Sequence, residues 1–369
     1  MKIAFDSQIF TMQEYGGISR YICSLAENLA KIDEVEAKIF APMYINGYIP
    51  KLPKEMVVGL KIPVIPKMGL IFHLSSLWLA RSAIAKFSPH ILHETYYTSH
   101  QNEPKNCKTV VTVYDMIHER FASLFSKNDQ ISKLKRESVL RADQVICISE
   151  NTRRDLLELV PVAPEKVSVV YLGVDQLSMF ENNTFQVLET AELPYLLFVG
   201  GRGHYKNFSG LLKAYASSHW LMNNFKIVCV GGGKLQVDEL NLIRELGIPS
   251  RQVKQVSASD DLLAEFYRGA AALLYPSMYE GFGIPPLEAM AMNCPVICSR
   301  TSSIPEVVGT AGEYFDPYDI ESIRFSIERV LQSSERREEL AALGRSRCNL
   351  FTWDRCAQET LDVYRRIAT

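Results

Sequence analysis

No stretch of this chain reaches the ~18–20 consecutive apolar residues that a membrane-spanning helix needs. The most apolar segment, Met68 to Ala85, is broken by His73, Arg81 and three serines. Asp6 interrupts the opening run, so there is no signal-peptide core either. No pair of cysteines forms C-x-x-C. The eight cysteines stand apart at 23, 107, 147, 229, 294, 298, 348 and 356, which excludes a zinc ribbon and predicts reduced core thiols of a cytosolic protein. There is no Asp-x-Asp, so a metal is not expected in the chemistry. Nor is there a basic excess: 40 Lys+Arg face 42 Asp+Glu, against the pattern of a dedicated nucleic-acid binder. What remains is 369 residues, 47% hydrophobic and 22% charged. That composition excludes disorder and predicts two globular domains of roughly 150–200 residues each.

Short apolar runs alternate with helical patterns. Lys2–Phe5, Ala37–Ala41, Ile91–His93, Lys108–Val113, Gln144–Ser149 and Val167–Tyr171 read as strands, with helices near 19–31 and 131–142. The pattern restarts at Tyr195–Val199 and continues through Lys226–Val230, Leu273–Tyr275 and Pro295–Cys298, closing with helices near 319–332 and 334–348. Buried runs separated by helices predict an α/β chain of two Rossmann-like, doubly wound domains. The expected division is 1–175, a linker at 176–192, 193–350, and an amphipathic helix within 351–369 that crosses back to the first domain. Sheets of this kind bind ligands at the carboxyl ends of their strands, and two facing halves would place a ligand between them.

Three glycine clusters follow strands. Gly16-Gly17-Ile18-Ser19-Arg20 opens a helix and offers its N-terminal amides to an anion. Gly200-Gly201-Arg202-Gly203-His204-Tyr205-Lys206 sets a guanidinium and an ammonium four positions apart, a pair able to hold a diphosphate without a metal. Gly231-Gly232-Gly233-Lys234 is not a P-loop, because Leu235 and Val228 stand where Ser/Thr and the first Gly belong. G-x-G-x-x-G also fails, since Lys206 takes the last glycine's place, so a dinucleotide oxidoreductase lacks its fingerprint.

The most informative segment is Glu280-Gly281-Phe282-Gly283-Ile284-Pro285-Pro286-Leu287-Glu288. It joins a strand to a helix whose first turn suits proline. Its two carboxylates can accept from sugar hydroxyls, and the amides of Gly283 to Leu287 can face a phosphate.

With these residues the chain resembles, over nearly its whole length, the family-4 retaining glycosyltransferases of GT-B fold. The resemblance rests on E-x7-E (Glu280, Glu288), G-G-x-x-R (Gly16, Gly17, Arg20), Val113 to Glu119, Ser149 to Thr152, Arg202 with Lys206-Asn207, and Ser303 to Val307. It implies that Glu288 holds the ribose and Glu280 the transferred sugar. Phe282 and Gly283 would shape the sugar pocket, with Ile284, Pro285 and Leu287 beside them. Arg202 and Lys206 would neutralise the diphosphate. Val256 and Ser257 would meet the base, and Gly16 and Gly17 would approach the phosphates and acceptor. Many members carry His-Asp where this chain has Tyr114-Asp115. Asp115 and His118 are the candidates on the acceptor side, with a satisfied structural histidine as the competing reading; His93 and His100 are further candidates.

The resemblance further implies a metal-independent hexosyl transfer from a nucleotide diphosphate sugar to a glycan or lipid-linked acceptor in surface polysaccharide synthesis. GDP-mannose is the first donor and UDP-linked sugars the next. No obvious nucleophile stands in this residue set, so a front-face substitution is expected. A nucleotide-sugar epimerase and a catalytically silent scaffold subunit are the competing classes. Residues 61–87 mix Lys61, Lys67, Arg81 and Lys86 with Leu, Ile, Phe and Trp, and 131–141 adds Lys133, Lys135, Arg136 and Arg141. Such stretches predict peripheral contact with an anionic membrane, against the alternative of core-facing helices with solvated charges.

Overall fold

The computed structural model describes residues 1–64, 69–99, 104–126, 128–174 and 193–368. The 176–192 segment read as a linker, and His100, lie outside the described residues. Two units form: Met1–Gly173 with Thr352–Thr369, and Val174–Phe351.

The first unit carries β1 (Lys2–Phe5), β2 (Glu36–Tyr44), β3 (Val57–Lys61), β4 (Ile91–Glu94), β5 (Lys108–Val113), β6 (Gln144–Cys147) and β7 (Val167–Val169). All pair in parallel, in the order β3-β2-β1-β4-β5-β6-β7. Its connections hold α1 (Gln8–Met12), α2 (Gly17–Ala30), α3 (Gly69–Phe87), α4 (Ile117–Arg120), α5 (Ile131–Arg141) and α6 (Glu150–Leu159).

The second unit repeats the plan with β8 (Tyr195–Val199), β9 (Lys226–Val230), β10 (Val253–Val256), β11 (Ala272–Tyr275), β12 (Val296–Ser299) and β13 (Gly312–Phe315), ordered β10-β9-β8-β11-β12-β13. Its helices are α7 (Phe208–Ala216), α8 (His219–Asn224), α9 (Val237–Glu245), α10 (Asp260–Gly269), α11 (Ile284–Ala291), α12 (Ile304–Val308), α13 (Ile320–Leu331) and α14 (Ser334–Cys348). Every residue of β8, β9, β11 and β12 is buried, which is why these strands read as apolar runs, with Lys226 and Ser299 the polar residues at their ends.

In both sheets the strand order reverses beside the first strand, the order of a Rossmann fold. Crossovers leaving β8 and β11 depart in opposite directions along the sheet and open a crevice at the carboxyl ends of these neighbours. This is the two-domain GT-B architecture.

Three strands escaped the sequence reading. β10 is an edge strand with only Val253 buried. β3 is an edge strand with little burial and so no apolar run. β13 begins on glycine and carries Glu313, buried because Arg329 and Arg336 reach it at 3.0 and 2.9 Å. β2 runs on to Tyr44 by shifting register between Phe40 and Met43, which accommodates Pro42.

The final helix, α15 (Trp353–Ala368), packs on α2. Its Tyr364 hydroxyl lies 2.5 Å from Nδ1 of His93, whose Nε2 is 2.8 Å from Oγ1 of Thr112. His93 is completely buried, and burial pushes its pKa down to about 3. This corrects the expectation of an acceptor-side role: His93 is a neutral core residue. Tyr364→Phe is expected to cost about 1–3 kcal/mol by orphaning a ring nitrogen, read as a lower urea midpoint. The unfolded chain protonates this histidine near pH 6.5, so its contribution is whole above about pH 6.5 and falls by about 1.4 kcal/mol per pH unit toward about pH 3. Burial raises the Asp6 carboxyl, an effect of opposite sign. The comparison is therefore wild type against His93→Gln, which lacks the histidine slope.

Candidate active site at the reversal point of the second sheet

Two loops meet above β8 and β11. After β8 the chain turns through Gly200, whose φ of 110° demands glycine, and makes a single 3-10 turn at His204–Lys206. Asn207 ends that turn in the left-handed region and donates its side-chain amide to Pro317 O at 2.7 Å. After β11 the chain runs from Pro276 to Gly283, again at a φ (131°) that only glycine adopts readily, and enters α11 with proline in its first turn. Met278 N–H donates to Tyr205 O at 2.7 Å and ties the loops together.

The side chains at this junction are Lys206 and Glu280. Nζ of Lys206 donates to Oε1 of Glu280 at 2.6 Å, the two side chains being 18% and 10% exposed. The ammonium also lies 5.3 Å from the centre of the Tyr205 ring and 5.7 Å from that of Tyr275. Glu288, on α11 and 3% exposed, accepts from the Tyr267 hydroxyl at 2.9 Å. Tyr267 and Tyr275 are pushed well above the ordinary phenol pKa, first by burial and then by the carboxylates of Glu288 and Glu280 respectively. Each glutamate thus has a protonated, buried tyrosine against it.

The turn is also held from behind. Glu280 N–H donates to Ser302 Oγ at 2.8 Å, and the Ser303 hydroxyl reaches the carbonyls of Glu280 and Phe282 at 2.9 and 2.7 Å. Sequence reasoning singled out neither serine for such a role, nor the two tyrosines. The serines stand just ahead of the Ile304-Pro305 helix start, a spacing that reveals a turn but not its partner.

Several expected site residues sit differently from their expected roles. Phe282 is 3% exposed and packs edge-on against Phe351 at 5.8 Å, so it supports the turn from the core rather than lining a pocket. Pro285 and Pro286 have no N–H, and Leu287 donates to Gly283 O at 3.4 Å. Of the amides expected to face a phosphate, those of Gly283 and Ile284 remain.

Arg202 is the largest departure. Its Nε bonds Glu239 at 2.8 Å, and its remaining nitrogens reach the carbonyls of Gly231, Gly232, Gly233 and Lys234 at 2.9–3.3 Å, leaving the side chain 2% exposed. Those three glycines have φ of 88°, 68° and 68°, which turns their carbonyls toward the guanidinium. The guanidinium is a staple for that loop, with its charge matched by Glu239. A hollow of about 350 Å³ lies beside it, lined by Arg202, His204, Asp238 and Glu239 among others; Lys206, Glu280 and Glu288 do not line it. Val256 ends β10 and accepts from Gly231 N–H at 3.1 Å, and Ser257 follows it, exposed.

The remaining candidates belong to the first unit. Gly17 begins α2, and Gly16 precedes it in an extended conformation that requires no glycine. Asp115 Oδ1 accepts from Ile117 N–H at 3.0 Å at the start of α4. His118 stacks on Phe125 at 4.0 Å, and its Nε2 lies 3.2 Å from Asp129. That environment fits the structural alternative for His118 as well as a chemical one.

Comparison with known proteins fits this geometry. A family model described as Glycosyltransferase Family 4 matches residues 15–176, and one described as Glycosyl transferases group 1 matches residues 179–347. The chain is 27% identical over 374 residues to O-antigen chain mannosyltransferase B of Escherichia coli, covering 95% of this chain and 96% of that protein. It is 26% identical to O-antigen chain mannosyltransferase RfbU of Salmonella typhimurium, covering 86% and 87%. Among solved structures, HepE from Anabaena in complex with UDP-glucose superposes with a TM-score of 0.73 at 16% identity, over 100% of both chains.

Proposed function

We propose, for a chain that belongs to the glycosyltransferases of group 1 with a family 4 domain ahead, that it moves a mannosyl residue from GDP-mannose to a hydroxyl of a glycan or lipid-linked acceptor in surface polysaccharide synthesis. One observation carries this reading: a cation and two tyrosine-held carboxylates gather at the reversal point of a Rossmann-ordered sheet, where such sheets bind nucleotides. The names of the two O-antigen relatives support the sugar. In this reading Glu288 accepts from the ribose hydroxyls and Glu280 from those of the transferred sugar. Lys206 stands where the diphosphate leaves. The anomeric C–O bond to the diphosphate breaks, the acceptor oxygen bonds to the same face, and the departing phosphate oxygen takes the acceptor proton. The anomeric configuration is retained, and no metal takes part. The enzyme works on the cytoplasmic side of the membrane.

A second reading, a UDP-linked hexose as donor, is favoured by the UDP-glucose complex of HepE. Calorimetric titration with GDP-mannose and UDP-glucose separates the two. Tighter binding of GDP-mannose supports the first reading and tighter binding of UDP-glucose the second. Binding of neither contradicts the site. Incubation with donor alone tests the epimerase alternative, which predicts a new sugar epimer without acceptor.

Arg202 acts here through the glycine loop. Arg202→Lys keeps the charge but loses the planar fork that reaches four carbonyls. It is expected to weaken donor binding by about tenfold or more, the scale of a lost charge-assisted hydrogen bond, and nearly as much as Arg202→Gln. Wild-type affinity in Arg202→Lys alone would return Arg202 to the role of a diphosphate counter-charge.

A further inference from the structure

We propose that the outer face of α3 and the neighbouring edge strand β3 form a docking surface for an anionic lipid bilayer. The surface lies wholly in the first unit, and the inference stands apart from the transferase reading.

α3 has an inner and an outer stripe. Ser76, Ala80 and Ile84, four residues apart, are buried toward the sheet. On the opposite side Leu74, Trp78 and Leu79 are 50%, 75% and 41% exposed. The apolar surface continues across the sheet edge. Val58 pairs in register with Phe40, which packs against Ala80 and Ile84, so Val58 and Leu60 lie on the α3 side of the sheet. The Ser76 hydroxyl donates to Met43 O at 2.9 Å and accepts from Met43 N–H at 3.3 Å. Met43 is the partner of Leu60, so Leu60, 74% exposed, stands one strand from the middle of α3. Large apolar side chains left exposed on one helix and the neighbouring sheet edge mark an interaction surface.

Charge selects the occupant. Between Glu55 and Glu94 the chain holds no acidic residue. Lys61, Arg81 and Lys86 border the face, and all are exposed. A second copy seated on this face would set like charges against each other. An anionic bilayer meets both properties at once: apolar side chains enter the headgroup boundary, the indole of Trp78 suits that depth, and the cations stay on the phosphates. The contact is peripheral, since among the described residues no helix is long and apolar enough to cross a membrane. The other cationic stretch lies on a different helix, α5, where Lys135 is 1% exposed and held by Glu119 at 2.8 Å while Lys133 and Arg136 are exposed, and the proposed face does not include it.

Flotation of the whole chain with vesicles tests this. Wild type is expected to float with vesicles of mixed phosphatidylglycerol and phosphatidylcholine, and not with phosphatidylcholine alone. High salt should release it, because the attraction is screened within a Debye length. Leu60→Glu with Trp78→Glu, at exposed positions that leave the melting curve unchanged, should abolish flotation. Reversing Lys61, Arg81 and Lys86 to Glu should lower partitioning by about a hundredfold or more, at about fivefold for each basic side chain. Failure of the wild type to float at low salt overturns the proposal, as does unchanged flotation of either variant. So does a wild-type dimer that the Leu60/Trp78 variant turns monomeric while vesicle binding persists.

Discussion

Lys206→Ala is expected to lower kcat by about 10²–10³-fold, the scale seen when one group aimed at developing charge is removed, with the chain still folded. The Lys206 side chain is 18% exposed, and its ammonium is held by Glu280 and lies near two aromatic rings. In the proposed reading it is a cation placed in advance, so no reorganisation is needed as negative charge builds on the leaving diphosphate. The pairing with Glu280 gives a second handle. Glu280→Gln keeps the shape of the side chain and removes the charge that orients Lys206, so it should also lose turnover. If the two residues act as a unit, Lys206→Ala with Glu280→Gln should be little worse than the more damaged single variant. Additive losses would mean that each acts on a different part of the substrate. Thermal melts of all three variants separate these outcomes from unfolding, because removing Lys206 leaves a carboxylate only 10% exposed without this cation.

Glu288→Ala is expected to act on binding rather than on the chemical step. The carboxylate is 3% exposed and accepts from Tyr267. In the proposed reading it also accepts from the ribose, contacts that are charge-assisted and worth about 1.5–3 kcal/mol. The expected result is a rise of about 10–100-fold in the donor's Kd and KM with a smaller change in kcat. Tyr267→Phe should follow in the same direction but less, since it removes the group that orients the carboxylate and leaves the acceptor in place. A kcat loss from Glu288→Ala as large as that from Lys206→Ala, with KM unchanged, would exchange the roles of the two carboxylates.

The central strands were legible because burial on both faces leaves a signature in composition: Tyr195–Val199 and Lys226–Val230 read as strands from their residues alone. β3 left no such trace, since an edge strand keeps only half of its burial pattern. The turn at Glu280 to Glu288 was legible through glycine, proline and acid spacing. What holds it was not. Ser302 and Ser303 lie about twenty residues on, and Tyr267 precedes the turn on α10, so no local pattern connects them to it. Arg202 marks the limit most clearly. Its charge beside glycines suggested a phosphate partner, yet the structure gives it Glu239 and four carbonyls from a loop beyond the next strand. Sequence reports that a guanidinium is present; only the fold reports how many acceptors reach it first. The proline pair at 285–286 teaches the reverse lesson, because the missing amides there could be read from the residues themselves.

A crystal of this chain soaked with GDP-mannose, and a second with UDP-glucose, would test the account most directly. The prediction is ribose density within hydrogen-bonding distance of Glu288 and diphosphate density within reach of Lys206, in whichever soak the protein binds. A donor seated away from the carboxyl ends of β8 and β11, with Lys206 and Glu288 untouched, would contradict it.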